Sequence, residues 1–151
     1  KQPNGMLSYG TNDKFYSEDP QHNVLDSFEC GNGYTTDHHE FILAENGHSF
    51  LMSYDPQPVD MSLVVPGGNP NATVIGLVIQ ELDENKNVVF QWRSWDHIAI
   101  TDAIHEDLTA ATVDCVHGNA IELDTDGNLM ISSRHLSAIT KISRTTLNIA
   151  W

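Results

Sequence analysis

Residues 114–151 read DCVHGNAIELDTDGNLMISSRHLSAITKISRTTLNIAW. Apolar residues recur at Ala120, Ile121 and Leu123, and then Asp126-Gly127 supplies the φ > 0 tolerance of a tight hairpin turn. Leu129, Met130 and Ile131 form the returning strand, which Ser132-Ser133-Arg134-His135 closes. A second hairpin follows, from residues 139–142 through the polar loop 143–147 into 148–151. Four short strands joined by tight turns make one blade-sized antiparallel sheet.

The same grammar recurs upstream. Residues 39–43 alternate, Asn46-Gly47 turns, and 50–54 return. Residues 15–16 and 24–28 flank the polar loop 18–23. Residues 73–82 form a β-branched strand, 83–87 its turn, and 88–92 the return. Three polar-looped hairpins therefore end at Phe28, Trp92 and Trp151. A second type, led by a histidine and turned at Asn-Gly or Asp-Gly, occurs at 39–54 and 117–133, so the two types alternate. Four strands per unit, repeated radially, describe a β-propeller, and the chain is read as one all-β propeller domain. Its length holds about two to three blades, below the usual minimum of four, so a piece of a larger propeller is expected, or one that assembles. A β-sandwich is the structural alternative. The chain begins at Lys1 and stops on a strand at Trp151, and both ends look cut.

Three stretches fall outside the hairpins. Residues 1–14 are polar and read as a frayed lead-in. Residues 55–72 carry Pro56, Pro58, Pro66, Gly67, Gly68 and Pro70, which argue for a loop throughout. Residues 98–113 read as a loop or a short helix, N-capped by Thr101 or Asp102 and containing Ala103, Ile104 and Leu108.

Composition narrows the partners. Hydrophobic residues make up 40% and charged residues 19%, which fits a packed domain rather than a disordered polyanion. A formal charge of −14 repels nucleic acid and anionic lipid, so neither is expected as a partner. No apolar run is long enough to span a membrane. Cys30 and Cys115 fit no zinc spacing and read as two buried thiols or one disulfide.

Histidine is abundant, with 8 residues, and several stand beside acids. His38 and His39 follow Asp37, His97 follows Asp96, and His117 follows Asp114 at short range. An aspartate orients an imidazole and stabilises its cation, as acid–base or nucleophilic work requires. His39 and His117 head matching hairpins, so a propeller would bring them toward one channel. Arg134 ends the hairpin that His117 opens, which places the two side by side. A guanidinium beside an imidazole on an acidic protein reads as a clamp for sulfate or phosphate; pairing with a rim acid is the bland alternative. Ser133 and His135 should point away from Arg134. His22, His48 and His105 fall in loops or turns and read as solvent-exposed.

Some motifs fail. Asp124-Thr125-Asp126-Gly127-Asn128 lacks the glycine and final acid of a calcium loop, because Leu129 and His135 occupy those positions. His39-Glu40 lacks a second histidine at Leu43, so there is no zincin motif.

Several blocks resemble the bacterial arylsulfate sulfotransferase family. They are His117-Gly118-Asn119-Ala120-Ile121 with Asp126-Gly127-Asn128, and Ser132-Ser133-Arg134-His135-Leu136-Ser137-Ala138-Ile139 with a terminal Ile-x-Trp. Asp37-His38-His39-Glu40-Phe41 with Asn46-Gly47, and Trp92-Arg93-Ser94-Trp95-Asp96-His97, are similar to further parts of the family. The resemblance implies a six-bladed propeller exported to the periplasm or cell surface. It implies transfer of a sulfuryl group from a phenolic sulfate ester to a phenol through a sulfated histidine, with no nucleotide donor, no cofactor and no metal. By resemblance, His117, Arg134 and His39 are catalytic, and His38, His97 and Asn119 touch substrate. The doublet leaves His38 competing with His39 for one position. The family's attacking histidine lies in a later blade and finds no match before Trp151. Leu147 stands where the family turns on glycine.

Overall fold

The computed structural model describes residues 1–151 and is all-β, with eleven strands, three short 3-10 turns and no α-helix. It comprises two compact units. The first contains Lys1–Ser53 and Ile79–Trp92, the second Tyr54–Val78 and Arg93–Trp151.

In the first unit, strands β1 (Leu7–Thr11), β2 (Lys14–Glu18) and β3 (Val24–Phe28) form an antiparallel sheet in chain order. The lead-in expected at 1–14 therefore contains a strand, Leu7–Thr11. Asn12 and Asp13 both adopt positive φ, 52° and 59°, and join β1 to β2 in a two-residue turn that neither Gly nor Asn-Gly announces. Next come β4 (Thr36–Leu43), β5 (Ser49–Val59), β6 (Ala72–Leu82) and β7 (Val88–Arg93), adjacent in that order. Phe15, Phe28, Cys30, Phe41, Leu43, Leu51 and Leu82 make the core of this unit. Phe15 stacks on Phe41 at 4.7 Å, and Phe28 tilts against the same ring at 5.2 Å. Such pairs add about 0.5–1.5 kcal/mol each beyond the area they bury.

β5 corrects the loop expected from residue 55, because the strand continues through Pro56 and Pro58 to Val59. Pairing with β4 ends at Ser53. Alternate residues aim their amides at the same edge, so prolines at 56 and 58 remove donors from a single edge, beyond the point where β4 stops. Both prolines are exposed, as strand prolines at an unpaired edge are. Residues 60–71 are irregular, as expected, around one 3-10 turn, Met61–Leu63. Met61 is fully buried, and a Cβ on Gly68 would lie 2.1 Å from the Met61 carbonyl oxygen, so only glycine fits there.

The second unit contains β8 (Thr112–Asp114), β9 (Gly118–Leu123), β10 (Leu129–Ser133) and β11 (Ala138–Ile142). β9, β10 and β11 form an antiparallel meander over the buried residues Ile121, Leu129, Ile131 and Ile142. The fourth strand expected at 148–151 is reduced to one bridge, Ile142 to Ile149, extended by Lys141–Ala150 and Lys141–Trp151 backbone bonds. Trp92 is buried, whereas Trp151 is exposed. The helix alternative at 98–113 is not formed. That stretch holds a single 3-10 turn, Ile100–Asp102, and then leads into β8, which pairs in parallel with β6 from Thr73 to Ile75.

The turns carry the repeat most clearly. Asp19/Asn23, Ala44/His48, Asp83/Asn87 and Asp124/Asn128 each close a three-residue loop with an N–H to carbonyl bond of 2.9–3.1 Å. The residue before the closing partner has positive φ in every case: His22, Gly47, Lys86 and Gly127. Where the first residue is Asp19 or Asp83, its carboxylate also accepts two backbone N–H groups and the closing asparagine's amide, which holds it below the usual carboxylate range. An aspartate that satisfies three loop donors lets a non-glycine residue take the strained position.

Candidate functional site

In the second unit, β8 ends at Asp114, and the chain must turn sharply to start β9 at Gly118. The Asp114 carboxylate makes that turn. One oxygen accepts the His117 backbone N–H at 3.0 Å, and the other lies 2.6 Å from His117 Nδ1. His117 is thereby held at φ 49°, a left-handed conformation that side chains adopt only under local compensation. The Asp–His pairing expected from the sequence is direct.

The far end of the hairpin meets this turn. The Arg134 amide donates to the His117 carbonyl at 3.0 Å, and the His135 amide to that of Val116 at 3.3 Å. Ser133 and His135 are buried and Arg134 is exposed, as alternation predicts. None of the ion pairs of the structure involves Arg134, whereas Arg93 pairs with Asp55. The other two arginines are engaged otherwise. Arg93 donates from Nε and a terminal nitrogen to Asp55 at 3.0 and 2.6 Å, and Arg144 donates to the Gly127 carbonyl.

The sequence gives no sign of a role for His135 beyond pointing away from Arg134, yet it completes this cluster. Its Nδ1 lies 2.5 Å from the Asp114 carbonyl oxygen and 3.0 Å from a Glu106 carboxylate oxygen. Its ring centroid is 4.8 Å from that of His117. Glu106 comes from the irregular stretch 98–113, which is tied down by a bond from the His105 amide to the His135 carbonyl. One donor atom from each of Asp114, His117 and His135 lies within 4.8 Å of the others. Tyr54 approaches His117 at 6.4 Å between ring centroids.

Two further candidates lie in this unit. Asn119 is exposed on β9, at the irregularity where Ser132 pairs with Ala120 but Ser133 pairs with Gly118. His97 is half-buried and caps the 3-10 turn Ser94–Asp96, its amide bonded to the Ser94 carbonyl. In the same segment Trp95 donates from Nε1 to the Asp55 carbonyl at 3.0 Å and its ring lies against Gly76, where a Cβ would come within 2.3 Å of Nε1.

His38 and His39 belong to the first unit. β4 pairs Asp37 with Met52 and then Phe41 with Leu51, so residues 38–40 bulge out of the ladder. His39 repeats the arrangement of His117: one Asp37 oxygen accepts its backbone N–H at 2.9 Å and lies 2.7 Å from its Nδ1. His38 instead sets its ring edge-on to Phe15 and against Gly10. Asp13, Thr36, Asp37, His38 and His39 line an open cleft of about 400 Å³. His48 departs from the solvent-exposed reading, because its Nδ1 lies 2.7 Å from the buried carboxylate of Glu81.

Cys30 and Cys115 are free, buried thiols. No helix is long and apolar enough to cross a membrane. No curated protein matches the chain significantly. Among family profiles, that of Arylsulfotransferase (ASST) matches residues 1–151, the whole length. With its His-Gly-Asn and Ser-Arg-His blocks meeting at one hairpin end, the chain belongs to the arylsulfotransferase family.

Proposed function

We propose that this chain supplies the sulfate-holding part of a six-bladed propeller that moves a sulfuryl group from a phenolic sulfate ester to a phenol. The observation that carries the reading is the end of the β9–β10 hairpin. There His117 is fixed by Asp114, and the unpaired cation of Arg134 is joined to it through the backbone, on a chain of net charge −14. A protonated His117 gives one N–H to Asp114 and directs the other at a sulfate oxygen. Arg134 offers planar paired donors for a second. Both charges act most strongly as negative charge shifts between the sulfuryl oxygens and the departing phenolate.

The transfer is written in two displacements. A histidine nitrogen attacks sulfur, the sulfur–phenolate bond breaks, and the phenolate leaves with the electron pair. An acceptor phenol oxygen then attacks the same sulfur, loses its proton and releases the histidine. We assign the attacking histidine to none of the positions of this chain. His39, held by Asp37 as His117 is held by Asp114, is the second channel histidine, and His38, His97 and Asn119 are substrate contacts. Export to the periplasm or cell surface belongs to the same reading.

The test is 4-nitrophenyl sulfate with phenol as acceptor. The chain should bind the ester saturably, in competition with inorganic sulfate, and release no 4-nitrophenol. Release that disappears in His117→Gln would put the nucleophile in this chain. Release of inorganic sulfate instead of phenyl sulfate would make the site a hydrolase, and failure to bind the ester would end the reading.

A further inference from the structure

Sulfate binding through His117 and Arg134 leaves Glu106 and His135 without a task, yet the fold ties both to that site. Glu106 lies in the irregular stretch before β8, and two successive residues of that stretch grip His135. The His105 amide donates to the His135 carbonyl at 3.3 Å, and a Glu106 carboxylate oxygen lies 3.0 Å from His135 Nδ1. Ala103, 2% exposed, pins the stretch just upstream, and the Glu106 amide donates to its carbonyl at 3.4 Å. The other group at His135 Nδ1 is the Asp114 carbonyl, at 2.5 Å. Both groups accept only, so Nδ1 carries the proton and shares it between them. Asp114 in turn commits its carboxylate to the His117 amide and Nδ1, at 3.0 and 2.6 Å. Hydrogen bonds therefore run without a break from Glu106 through His135 and Asp114 to His117.

We infer that Glu106 and His135 are positioning residues of the sulfate-holding site: Glu106 sets the His135 ring, and the ring sets Asp114 and with it His117. This role rests on the assignment of sulfate to His117 and Arg134. Charge alone argues against an acid here, because a carboxylate near a bound sulfate repels it. Geometry offsets that repulsion. His135 is 9% exposed, so little water can replace Glu106 as its acceptor. His135 also follows Arg134 directly, and its amide holds the Val116 carbonyl at 3.3 Å. A displaced His135 ring thus disturbs the hairpin end that carries both sulfate-holding residues. A contact misplaced by about 1 Å loses much of its strength.

Two variants separate position from charge. Glu106→Asp keeps the charge and draws the carboxylate back by one methylene. Glu106→Gln keeps the reach and an oxygen acceptor and removes the charge. Sodium sulfate is titrated calorimetrically into both and into the unaltered chain. Affinity should fall at least about fivefold in Glu106→Asp, and in Glu106→Gln it should stay within about twofold or rise. Equal affinity in the three proteins, or a loss in Glu106→Gln as large as that in Glu106→Asp, overturns the positioning role and leaves the sulfate reading intact. A lowered urea midpoint in Glu106→Asp with unchanged sulfate affinity makes the acid structural only and overturns it likewise. Absence of sulfate binding by the unaltered chain ends the sulfate reading and the positioning role together. Circular dichroism establishes that the variants are folded. If Glu106→Asp is not, His135→Phe takes its place, keeping a ring of similar size without the Nδ1–H. A loss of at least about fivefold there supports the role, and unchanged affinity refutes it.

Discussion

Gly76 sits in β6 against the Trp95 indole, and replacing it with alanine puts a methyl group into occupied space. The added Cβ would stand 2.3 Å from Nε1, 2.6 Å from Cδ1 and 3.0 Å from Cε2. The ring must retreat by roughly 1 Å or more to reach an ordinary contact distance. That stretches its 3.0 Å bond to the Asp55 carbonyl beyond hydrogen-bonding range. Overpacking costs about 1–3 kcal/mol, and the lost bond about 1 kcal/mol. Alanine recovers about 0.5–1 kcal/mol because glycine is unfavourable inside a strand. The net expectation is destabilisation by about 1–3 kcal/mol. Urea denaturation followed by circular dichroism measures it, and a double-mutant cycle isolates the cause. In a Trp95→Ala background the clash is gone, so Gly76→Ala should become neutral or mildly stabilising. If it costs the same with and without Trp95, the indole is not what requires glycine.

Leu147 adopts φ 63° and is 40% exposed, so Leu147→Gly relieves left-handed strain at small packing cost. A gain of about 0.5–1 kcal/mol is expected, read as a raised urea midpoint; a lowered midpoint would mean that Leu147 packing outweighs the strain. Asp126 is bonded to Lys141 at 2.7 Å and to Asn128, and these bonds depress its carboxyl to about 2 from 3.8. Its contribution to stability is therefore present above pH 3.8 and lost as pH falls through about 2. Carboxyl ¹³C titration should show the low midpoint, rising in Lys141→Met. A normal midpoint in the unaltered chain refutes the pairing. Burial raises the Cys30 and Cys115 thiols from 9.0 to about 11, so the neutral thiols stabilise the fold fully below pH 9.0 and less as pH rises through about 11. At pH 8, iodoacetamide should label neither until denaturant is added, and rapid labelling of the native chain would contradict their burial.

Much of the strand pattern was legible because turns announced it. Asn46-Gly47 and Asp126-Gly127 mark the positive-φ position directly; alternation holds along β10, but not at 39–43, where Phe41, Ile42 and Leu43 are buried in succession. Asn12-Asp13 performs a similar task without glycine, which hid β1. Prolines hid the second half of β5, because composition does not tell which edge of a strand lacks a partner. β8 was invisible, since its parallel pairing with β6 joins segments distant in the chain. The site was half legible. The Asp114–His117 pair and the hairpin neighbour Arg134 follow from spacing and strand geometry. His135 was placed opposite Arg134 by the same alternation, but nothing local said that this direction leads to His117. Glu106 lies in a stretch with no periodicity, and only the folded loop brings it to His135. The His38/His39 doublet was ambiguous because the bulge at 38–40 breaks the period-2 rule that would decide it.

The central claim is that Arg134 and His117 hold a sulfate group. Calorimetric titration of sodium sulfate into the unaltered chain and Arg134→Gln tests it most directly. A charge-assisted hydrogen bond contributes about 1.5–3 kcal/mol, and the exposure of Arg134 points to the lower end of that range. Sulfate affinity is expected to fall at least about tenfold in Arg134→Gln, with the folded state unchanged because the arginine carries no ion pair. Equal affinity in the two proteins would contradict it.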